Sequence, residues 1–324
     1  MPKTDWEFPS EAQPKAEEVG FDLEAALGSI VALRAEIPGD AFTASILGTE
    51  RDGNGVVIDG NGLVLTIGYL ITEAQSAWLT TSKGTAVRGH VVAYDQVTGF
   101  GLVQALGRLG VPAIARATGQ AVTVGDPVIV ASHGGRRHAL KARVVARREF
   151  AGYWEYVLDE AIFTAPAHPH WGGAALIDGA GRLQGIGSLL VQEAGESGGA
   201  IQGNMIVPIG LLEPVFDSLL RLGRIDGPPR PWLGMYTAEA EGALVVARLA
   251  PGGPAQRAQV KVGDRVVEVA GEPVRGLANL FRRIWALGPA GTDIPLTLAR
   301  EGDVFRIRIR SADRNDFLKK PHLH

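Results

Sequence analysis

The sequence contains no cysteine, which excludes disulfide bonds and thiol chemistry. It also lacks any run of about 18 or more apolar residues, so it predicts no membrane-spanning helix. An excess of either charge is missing too: 32 Lys and Arg face 35 Asp and Glu, for a net charge of −3 and a pI near 6.2. Such a balance gives no broad attraction for nucleic acid or an acidic membrane surface, and we expect neither as a partner.

What the chain does contain is enough apolar residues for more than one core. With 324 residues, 46% of them hydrophobic, it predicts two domains. Short β-forming runs at 55–58, 63–65 and 127–131 are separated by turns rich in Gly, Asp and Asn. Regularly spaced short strands are typical of antiparallel barrels. An amphipathic pattern at 208–223 then predicts a helix that ends at a glycine.

Three segments with glycine-rich turns follow one another through the first two thirds of the chain. They lie at residues 53–66, 94–103, and 171–173 with 181–186. In this order they resemble the framework segments of trypsin-like serine proteases of the HtrA/Deg family. The resemblance implies a mainly β protein whose first domain is a trypsin-like double antiparallel β-barrel.

The resemblance also implies where the reacting groups of a protease would stand, and other residues stand there. Tyr69 takes the position of the general-base histidine, Gly99 that of the orienting aspartate, and Trp171 that of the nucleophilic serine. An indole N–H donates but cannot attack, a tyrosine with a pKa of about 10 is a poor base, and glycine has no side chain. The second oxyanion donor would be the backbone N–H of Pro169, which proline lacks. We therefore predict a pseudoprotease without catalytic residues.

One alternative is an enzyme of another kind at the same loop. His168 and His170 offer two imidazoles to a metal, with Tyr69 or His133 as further ligands. No Asp, Glu or Cys stands close by in sequence to complete the ligand set, so we predict neither a metal nor any other cofactor. The competing hypothesis is a hydrolase of the serine endopeptidase family that uses unconventional or metal-assisted groups.

A relocated Ser/His pair is a second alternative. Ser132, His133 and His138 lie in a polar segment that predicts a loop. Sequence neighbours rarely face each other in the geometry that proton transfer requires. The simpler interpretation is that these are polar side chains of a surface loop and not a catalytic pair.

Trp171 itself has two interpretations. As a plug, its side chain fills the void that a substrate side chain would occupy, since an aromatic residue covers roughly 150–250 Å². Alternatively, Tyr69, Trp171 and Phe163 line a remodelled aromatic pocket for a ligand or a partner's loop. We favour the plug.

The last third of the chain follows a linker at 226–231 that has three prolines in four residues. Segments 232–235, 250–258 and 262–274 resemble a PDZ domain in the bacterial, circularly permuted arrangement. The resemblance implies that 232–235 is the carboxylate-binding loop, and the pattern at 277–287 predicts a helix beside the peptide groove. The candidate peptide-binding residues are Trp232, Leu233, Gly234, Met235, Leu280, Phe281 and Ile284.

A PDZ domain binds an extended peptide by adding it as a strand to a sheet edge. Apolar walls formed by Leu233, Met235 and Ile284 favour a peptide C-terminus whose last residue is apolar. The opposing interpretation is a groove that is occluded or used internally. With the catalytic groups missing, the sequence predicts a scaffold, chaperone or regulatory subunit that binds peptides or proteins through its PDZ domain.

The ends of the chain complete the predicted organisation. The expected segments are a flexible arm at 1–20, a barrel domain at 21–225, the linker at 226–231, a PDZ domain at 232–312 and a tail at 313–324. The tail carries His322 and His324, which we expect to be disordered.

The N-terminal arm adds two expectations. In the resembled family, aromatic residues of this arm often help to build a trimer, which makes Trp6 and Phe8 candidates for homo-oligomer contacts. Residues 1–9 lack the apolar core of a secretory signal, so we expect a cytoplasmic protein, or a periplasmic one if a signal peptide has been removed.

Overall fold

The computed structural model describes residues 6–119, 121–194 and 200–320, and it divides into two compact units. The first unit holds the described residues up to Arg148, those from Glu160 to Asp226, and the C-terminal end from Lys319. The second unit holds Glu149–Asp159 and Gly227–Leu318. The protein is mainly β, which confirms the predicted fold class.

Six antiparallel strands form the first barrel of the first unit. They are β1 (Ile30–Glu36), β2 (Glu50–Val57), β3 (Leu63–Ile67), β4 (Ser76–Thr80), β5 (Ala86–Tyr94) and β6 (Phe100–Ala105). The sheet closes in the order β1-β2-β3-β6-β5-β4. The turn from β2 to β3 is held by Asp59, whose carboxylate accepts the backbone N–H groups of Asn61 and Leu63.

Six further strands form the second barrel of the same unit. They are β7 (Pro127–Ala131), β8 (Ala139–Gly152), β9 (Tyr156–Ala165), β10 (Ala175–Ile177), β11 (Leu183–Ala194) and β12 (Ala200–Pro208). This sheet closes in the order β10-β11-β12-β9-β8-β7. The turn from β10 to β11 is again built on an aspartate, Asp178, which accepts the N–H groups of Ala180 and Arg182. The predicted double barrel is therefore confirmed.

The helices of the first unit are short. They are α1 (Leu23–Gly28), α2 (Ala44–Leu47) and α3 (Phe216–Leu222). The prediction of one helix over 208–223 is wrong, because Pro214 lacks an N–H and disfavours helical backbone in the residue before it. Only a 3-10 turn, Ile209–Leu211, precedes that proline, and α3 ends at Gly223 as expected, in a left-handed cap with φ of 68°.

The second unit is an antiparallel sheet with two helices. Its elements are β13 (Met235–Ala240), β14 (Ala243–Leu249), α4 (Pro254–Arg257), β15 (Arg265–Val269), β16 (Glu272–Pro273), α5 (Leu277–Ala286), β17 (Asp293–Arg300) and β18 (Asp303–Arg310). The strand order β13-β14-β15-β17-β18 leaves β13 at an edge. Within the described part of the chain, no helix has the length and apolarity that membrane crossing requires.

The N-terminal segment is packed, in contrast to the flexible arm that its composition predicted. The backbone N–H of Phe8 donates to the carbonyl of Arg137 at 3.0 Å, and that of Lys141 donates to the carbonyl of Ala12 at 2.8 Å. Gln13 is buried and donates its amide to the Phe8 carbonyl. Backbone bonds at both ends of this stretch hold it against the second barrel.

The C-terminal tail is also tied down as far as it is described. The backbone N–H of Lys319 donates to the Glu73 carboxylate at 2.9 Å, and its ammonium pairs with Asp40. His322 and His324 lie outside the described residues.

Candidate functional site

Tyr69 lies where the chain leaves β3, in the 3-10 turn Gly68–Leu70. Its hydroxyl donates to the carbonyl of Ser188 on β11 at 2.8 Å. Burial raises the pKa of this hydroxyl above its ordinary value, although a hydrogen bond with the Trp171 side chain lowers it. Because its proton is held by a carbonyl and its pKa is raised, the phenol is poorly suited to act as a base at neutral pH.

Trp171 lies in the loop between β9 and β10, and its side chain hydrogen-bonds to Tyr69. An indole N–H can only donate, so the phenol oxygen is the acceptor in this hydrogen bond. The backbone here is tight: a side chain on Gly172 would come within 3.0 Å of the Tyr69 hydroxyl. The structure therefore joins the two residues at the predicted base and nucleophile positions, and they occupy each other's polar groups.

Gly99 brings no functional group to this place. It adopts a left-handed φ of 86°, donates to the Asp95 carbonyl and accepts from the Gly68 N–H at 2.7 Å. The carboxylate of Asp95, four residues earlier in the chain, makes its hydrogen bonds within its own turn. It accepts the N–H groups of Val97 and Thr98 and the Thr98 hydroxyl. The turn uses the aspartate as a structural cap rather than as an orienting acid.

The loop that contains Pro169 is held by a buried imidazole. Nδ1 of His168 accepts the N–H of His170 at 3.0 Å, so its Nε2 carries the proton and donates to the carbonyl of His138 at 3.0 Å. Asn204 closes the arrangement by pairing with both the N–H and the carbonyl of His168. Burial lowers the pKa of His168 to about 4, so the ring is neutral.

This arrangement leaves the His168 ring no free nitrogen for a metal ion. His170 then stands as a single imidazole in the loop, which is too few for a metal site. The described ranges contain no group of three or more His, Cys, Asp or Glu side chains that could hold a metal ion. The metal-assisted alternative finds no ligand set among these residues.

Two aromatic rings of the N-terminal segment cover the same loop. The Trp6 ring centroid lies 4.9 Å from that of His170 and 5.8 Å from that of His168, and Phe8 lies 5.0 Å from His168. These contacts are within one chain. The trimer built by Trp6 and Phe8 stays a prediction.

The structure does not bring Ser132 and the nearby histidines together as a relocated Ser/His pair. The Ser132 hydroxyl donates to the backbone carbonyl of His138, at 3.4 Å, rather than to an imidazole. His133 donates its backbone N–H to the Asn54 side chain, and burial lowers the pKa of its imidazole.

Phe163, proposed for an aromatic pocket, is 1% exposed with the Arg148 guanidinium 4.1 Å above its ring.

Asn54 on β2 is a structural residue of this region that the sequence did not single out. Its amide donates to the carbonyls of His170 and Gly172, and its backbone N–H also donates to Gly172. Its side-chain oxygen Oδ1 accepts the backbone N–H of His133. One side chain thus fixes the loop at the predicted nucleophile position.

The predicted carboxylate-binding loop has converging N–H groups, and an acid of the same chain receives them. The N–H groups of Leu233, Gly234 and Met235 donate to Glu155 at 3.2, 2.9 and 3.2 Å. Gly234 has a φ of 68°, and a side chain there would come within 2.9 Å of Ala250, so this turn requires glycine. Glu155, 78 residues before Leu233 in the chain, is the site residue that sequence reasoning missed.

The predicted groove residues of α5 face the core of the second unit. Leu280, Phe281 and Ile284 are buried in one apolar cluster with Leu233 and Met235. The helix itself is confirmed to within one residue of its predicted end. Trp232 is 4% exposed and pairs by backbone hydrogen bonds with Ala312.

Two families of known domains match the chain. The family described as trypsin-like peptidase domain matches residues 53–186, and the family described as PDZ domain matches residues 231–310. The first match includes Tyr69, Gly99 and Trp171. The second includes the loop at 232–235 and α5.

Known relatives support the same division. A probable periplasmic serine endoprotease DegP-like protein of Rhizobium meliloti is 27% identical over 272 residues, which cover 78% of this chain and 51% of the relative. The periplasmic pH-dependent serine endoprotease DegQ of Escherichia coli is 25% identical over 275 residues, covering 80% of this chain and 59% of the relative. The chain thus spans a little over half the length of these two proteins.

Solved structures share the fold. A serine endoprotease from Yersinia pestis aligns with a TM-score of 0.53 and 22% identity, covering 91% of this chain and 99% of that one. The HtrA-type protease AlgW with a tripeptide aligns with a TM-score of 0.52 and 18% identity, covering 93% and 97%. The chain is thus HtrA/Deg-like, a trypsin-like peptidase domain followed by a PDZ domain.

Proposed function

We propose that this protein is a pseudoprotease that binds peptides or proteins through its PDZ domain and does not cut them. The observation that carries the proposal is the contact between Tyr69 and Trp171. The groups at the base and nucleophile positions hydrogen-bond to each other. Neither can transfer a proton to or from a substrate as a histidine and serine pair does.

The remaining parts of the catalytic apparatus are replaced as well. Gly99 has no carboxylate to orient a base, and Pro169 has no N–H to stabilise an oxyanion. Loss of one oxyanion donor typically costs about 2.7–4 kcal/mol of transition-state stabilisation, even where the triad is intact. Restoring one position alone therefore leaves the site inactive.

The binding half of the proposal rests on the loop at 232–235. Three consecutive N–H groups that converge on one carboxylate are suited to a peptide C-terminus. The edge strand β13 beside that loop is suited to the addition of a peptide strand. A scaffold, chaperone or regulatory subunit requires this binding and no catalysis.

A casein assay tests the catalytic half. Fluorescent casein is incubated with the wild-type protein, with Trp171→Ser, with Pro169→Gly, and with the triple variant Tyr69→His, Gly99→Asp, Trp171→Ser. We expect no turnover from the wild type or the first two variants, because the base is still missing. Wild-type turnover that persists through repeated purification would refute the proposal.

The DegP-like protein of Rhizobium meliloti and DegQ of Escherichia coli are both named as periplasmic proteins. We propose the periplasm for this protein too, in place of the cytoplasm that the N-terminal sequence suggested. Osmotic-shock fractionation of the source cells, followed by immunoblotting, is the test. Recovery with a cytoplasmic marker contradicts this part.

A further inference from the structure

The carboxylate-binding loop of the second unit already holds a ligand from its own chain. Oε1 of Glu155 accepts the N–H groups of Leu233, Gly234 and Met235 at 3.2, 2.9 and 3.2 Å, and Oε2 lies 3.3 Å from the Leu233 nitrogen. Glu155 is 7% exposed. Three backbone donors on one buried carboxylate form the interaction by which such a loop captures a peptide C-terminus.

Glu155 lies in the hairpin tip 149–159, where the chain turns from β8 into β9, and the backbone of this tip also contacts the strand edge. The N–H of Thr237 on β13 donates to the carbonyl of Tyr153 at 3.3 Å. Since β13 is the edge strand of its sheet, this bond has the direction and place of an added peptide strand. Glu155 thus occupies the carboxylate-binding loop, and Tyr153, two residues before it in the chain, occupies the strand edge.

An apolar side chain of the tip completes the likeness to a bound peptide. Val157 belongs to the apolar cluster that contains Leu233, Met235 and Ile284. These are the residues from which the sequence predicted a pocket for an apolar last residue. A carboxylate on the loop together with an apolar side chain in this cluster is the combination that a peptide ending in valine would offer.

The hairpin tip is held in this position by contacts on both sides. Arg282 on α5 pairs with Glu149 and Asp159, one on each strand of the hairpin. Glu155 itself has a left-handed φ of 62°, which a non-glycine residue adopts at a cost. Such backbone persists where the surrounding contacts compensate for it, and here those contacts are the three N–H donors.

We infer that Glu155 is an internal ligand that stands in for a peptide's C-terminal carboxylate and keeps the PDZ groove closed to peptides while the hairpin tip 149–159 is docked. The inference rests on the proposed peptide-binding function and adds its regulation. A peptide binds only by displacing the tip, so its apparent affinity is reduced by the fraction of molecules that are docked.

Burial makes the docked carboxyl group displaceable. It raises the pKa of Glu155 to about 7, against the opposing effects of the three N–H donors and of Arg314. Desolvation therefore offsets part of what the hydrogen bonds contribute. A peptide carboxylate that makes the same hydrogen bonds therefore competes with Glu155, whose docking is weakened by this desolvation.

Glu155→Gly in the full-length protein is the test, with Glu241→Gly as its matched control. Both glutamates have positive φ, 62° and 50°, so both substitutions remove a carboxylate and relieve the same strain. Glu241 is exposed in the turn between β13 and β14, away from the loop's N–H groups. Glu155→Gln, which keeps the side-chain shape, checks that an effect does not come from misfolding.

Two measurements are made on each protein. Hydrogen exchange reports the amides of residues 233–235 without any peptide. Fluorescence polarisation reports binding of a fluorescein-labelled decapeptide pool with nine randomised positions and a C-terminal valine, as free acid and as amide. For Glu155→Gly we expect faster exchange at these amides and free-acid binding that is tighter by at least about tenfold, because one hydrogen bond to a charged group contributes about tenfold and three are lost.

The outcomes separate the inference from the function on which it rests. Unchanged exchange in Glu155→Gly, or equal binding of the free-acid pool by wild type and Glu155→Gly, overturns the internal ligand. Faster exchange without binding of the free acid by any variant upholds the internal ligand and refutes peptide capture. An effect of equal size in Glu241→Gly assigns the change to the loss of a turn glutamate and overturns the inference.

Discussion

The three predicted catalytic positions and the carboxylate-binding loop depend on different kinds of groups. In a trypsin-like protease the reacting triad is made of side chains, and in this chain Tyr69, Gly99 and Trp171 stand at the corresponding positions. At the loop the binding groups are backbone N–H groups, and all three still converge. A triad of side chains depends on the identity of each residue, whereas a set of backbone N–H groups persists while the turn keeps its conformation and no proline removes a donor, as Pro169 does at the oxyanion position.

The two regions also differ in what fills them. At the predicted catalytic positions, the Trp171 side chain hydrogen-bonds to Tyr69. The Tyr69 hydroxyl in turn donates to the backbone carbonyl of Ser188. The loop is filled by Glu155, an acid that a competing carboxylate can replace. The contacts of Trp171 and Tyr69 belong to the folded structure itself. The contact of Glu155 with the loop belongs to an equilibrium between a docked and an undocked hairpin tip.

Removal of the plug is the strongest way to test the first half of this comparison. Trp171→Ala deletes a half-buried indole and its hydrogen bond to Tyr69, and we expect the free energy of unfolding to fall by about 3 kcal/mol. Urea denaturation followed by circular dichroism measures it. Trp78→Ala, at an exposed indole on β4, is the control and should cost clearly less. Equal losses would show that Trp171 is not a structural plug.

Gly234→Ala tests whether the loop depends on its backbone. The added methyl group comes within 2.9 Å of Ala250 at a left-handed φ of 68°, so we expect a loss of about 2 kcal/mol and faster hydrogen exchange at 233–235. Gly252→Ala is the matched control, since Gly252 has a φ of 65° but open space around it. If the two variants lose the same stability, backbone strain alone accounts for the effect and the close approach to Ala250 is irrelevant.

A pH titration sharpens the contrast between a fixed and an exchangeable filling. The docked Glu155 has a pKa of about 7 against an ordinary 4.5, so docking is strongest at low pH and weakens as pH rises toward 7. Without any peptide, the undocked state that exposes the amides of residues 233–235 should therefore be about tenfold more populated near pH 8 than near pH 6.

The charged and titratable groups that face Glu155 do not imitate this effect. Arg314 stays protonated across the window, and burial raises the pKa of Tyr236 further above it. Hydrogen exchange of these amides at both pH values, divided by the intrinsic exchange rate at each pH, measures the change. Glu155→Gln should show a flat profile, and a tenfold rise in that variant would assign the titration to another group.

Tyr69→Phe is the mildest of the tests. It removes the hydroxyl that donates to Ser188 and accepts from Trp171, and we expect a loss of about 1 kcal/mol in the free energy of unfolding. Tyr153→Phe, at a tyrosine that is 49% exposed, should change stability by less than about 0.5 kcal/mol. Thermal unfolding of both proteins gives the comparison, and an unaffected Tyr69→Phe would mean that these bonds contribute nothing net.

The fold was predictable because its signals are local. Runs such as Leu63–Ile67 and turns capped by Asp59 define strands and hairpins without information from distant residues. The prediction of one helix over 208–223 failed for a local reason as well, because Pro214 interrupts the helix that the apolar spacing alone predicts.

The site was predictable only where the residue type itself decides the chemistry. Trp171 cannot attack and Pro169 cannot donate, whatever surrounds them. The roles of His168 and Glu155 depend on partners 30 and 78 residues away, His138 and Leu233. No spacing in the sequence indicates that a glutamate in a hairpin turn contacts a loop so distant in the chain.

Strands β8 and β9 run without interruption from the first unit into the second, so the acid on the loop is tethered to the site it fills. A tethered occupant acts at an effective concentration on the order of millimolar, which dilution of the protein does not change. A fragment that begins at the linker would lack this occupant, and affinities measured on it would describe a more receptive module than the whole chain provides.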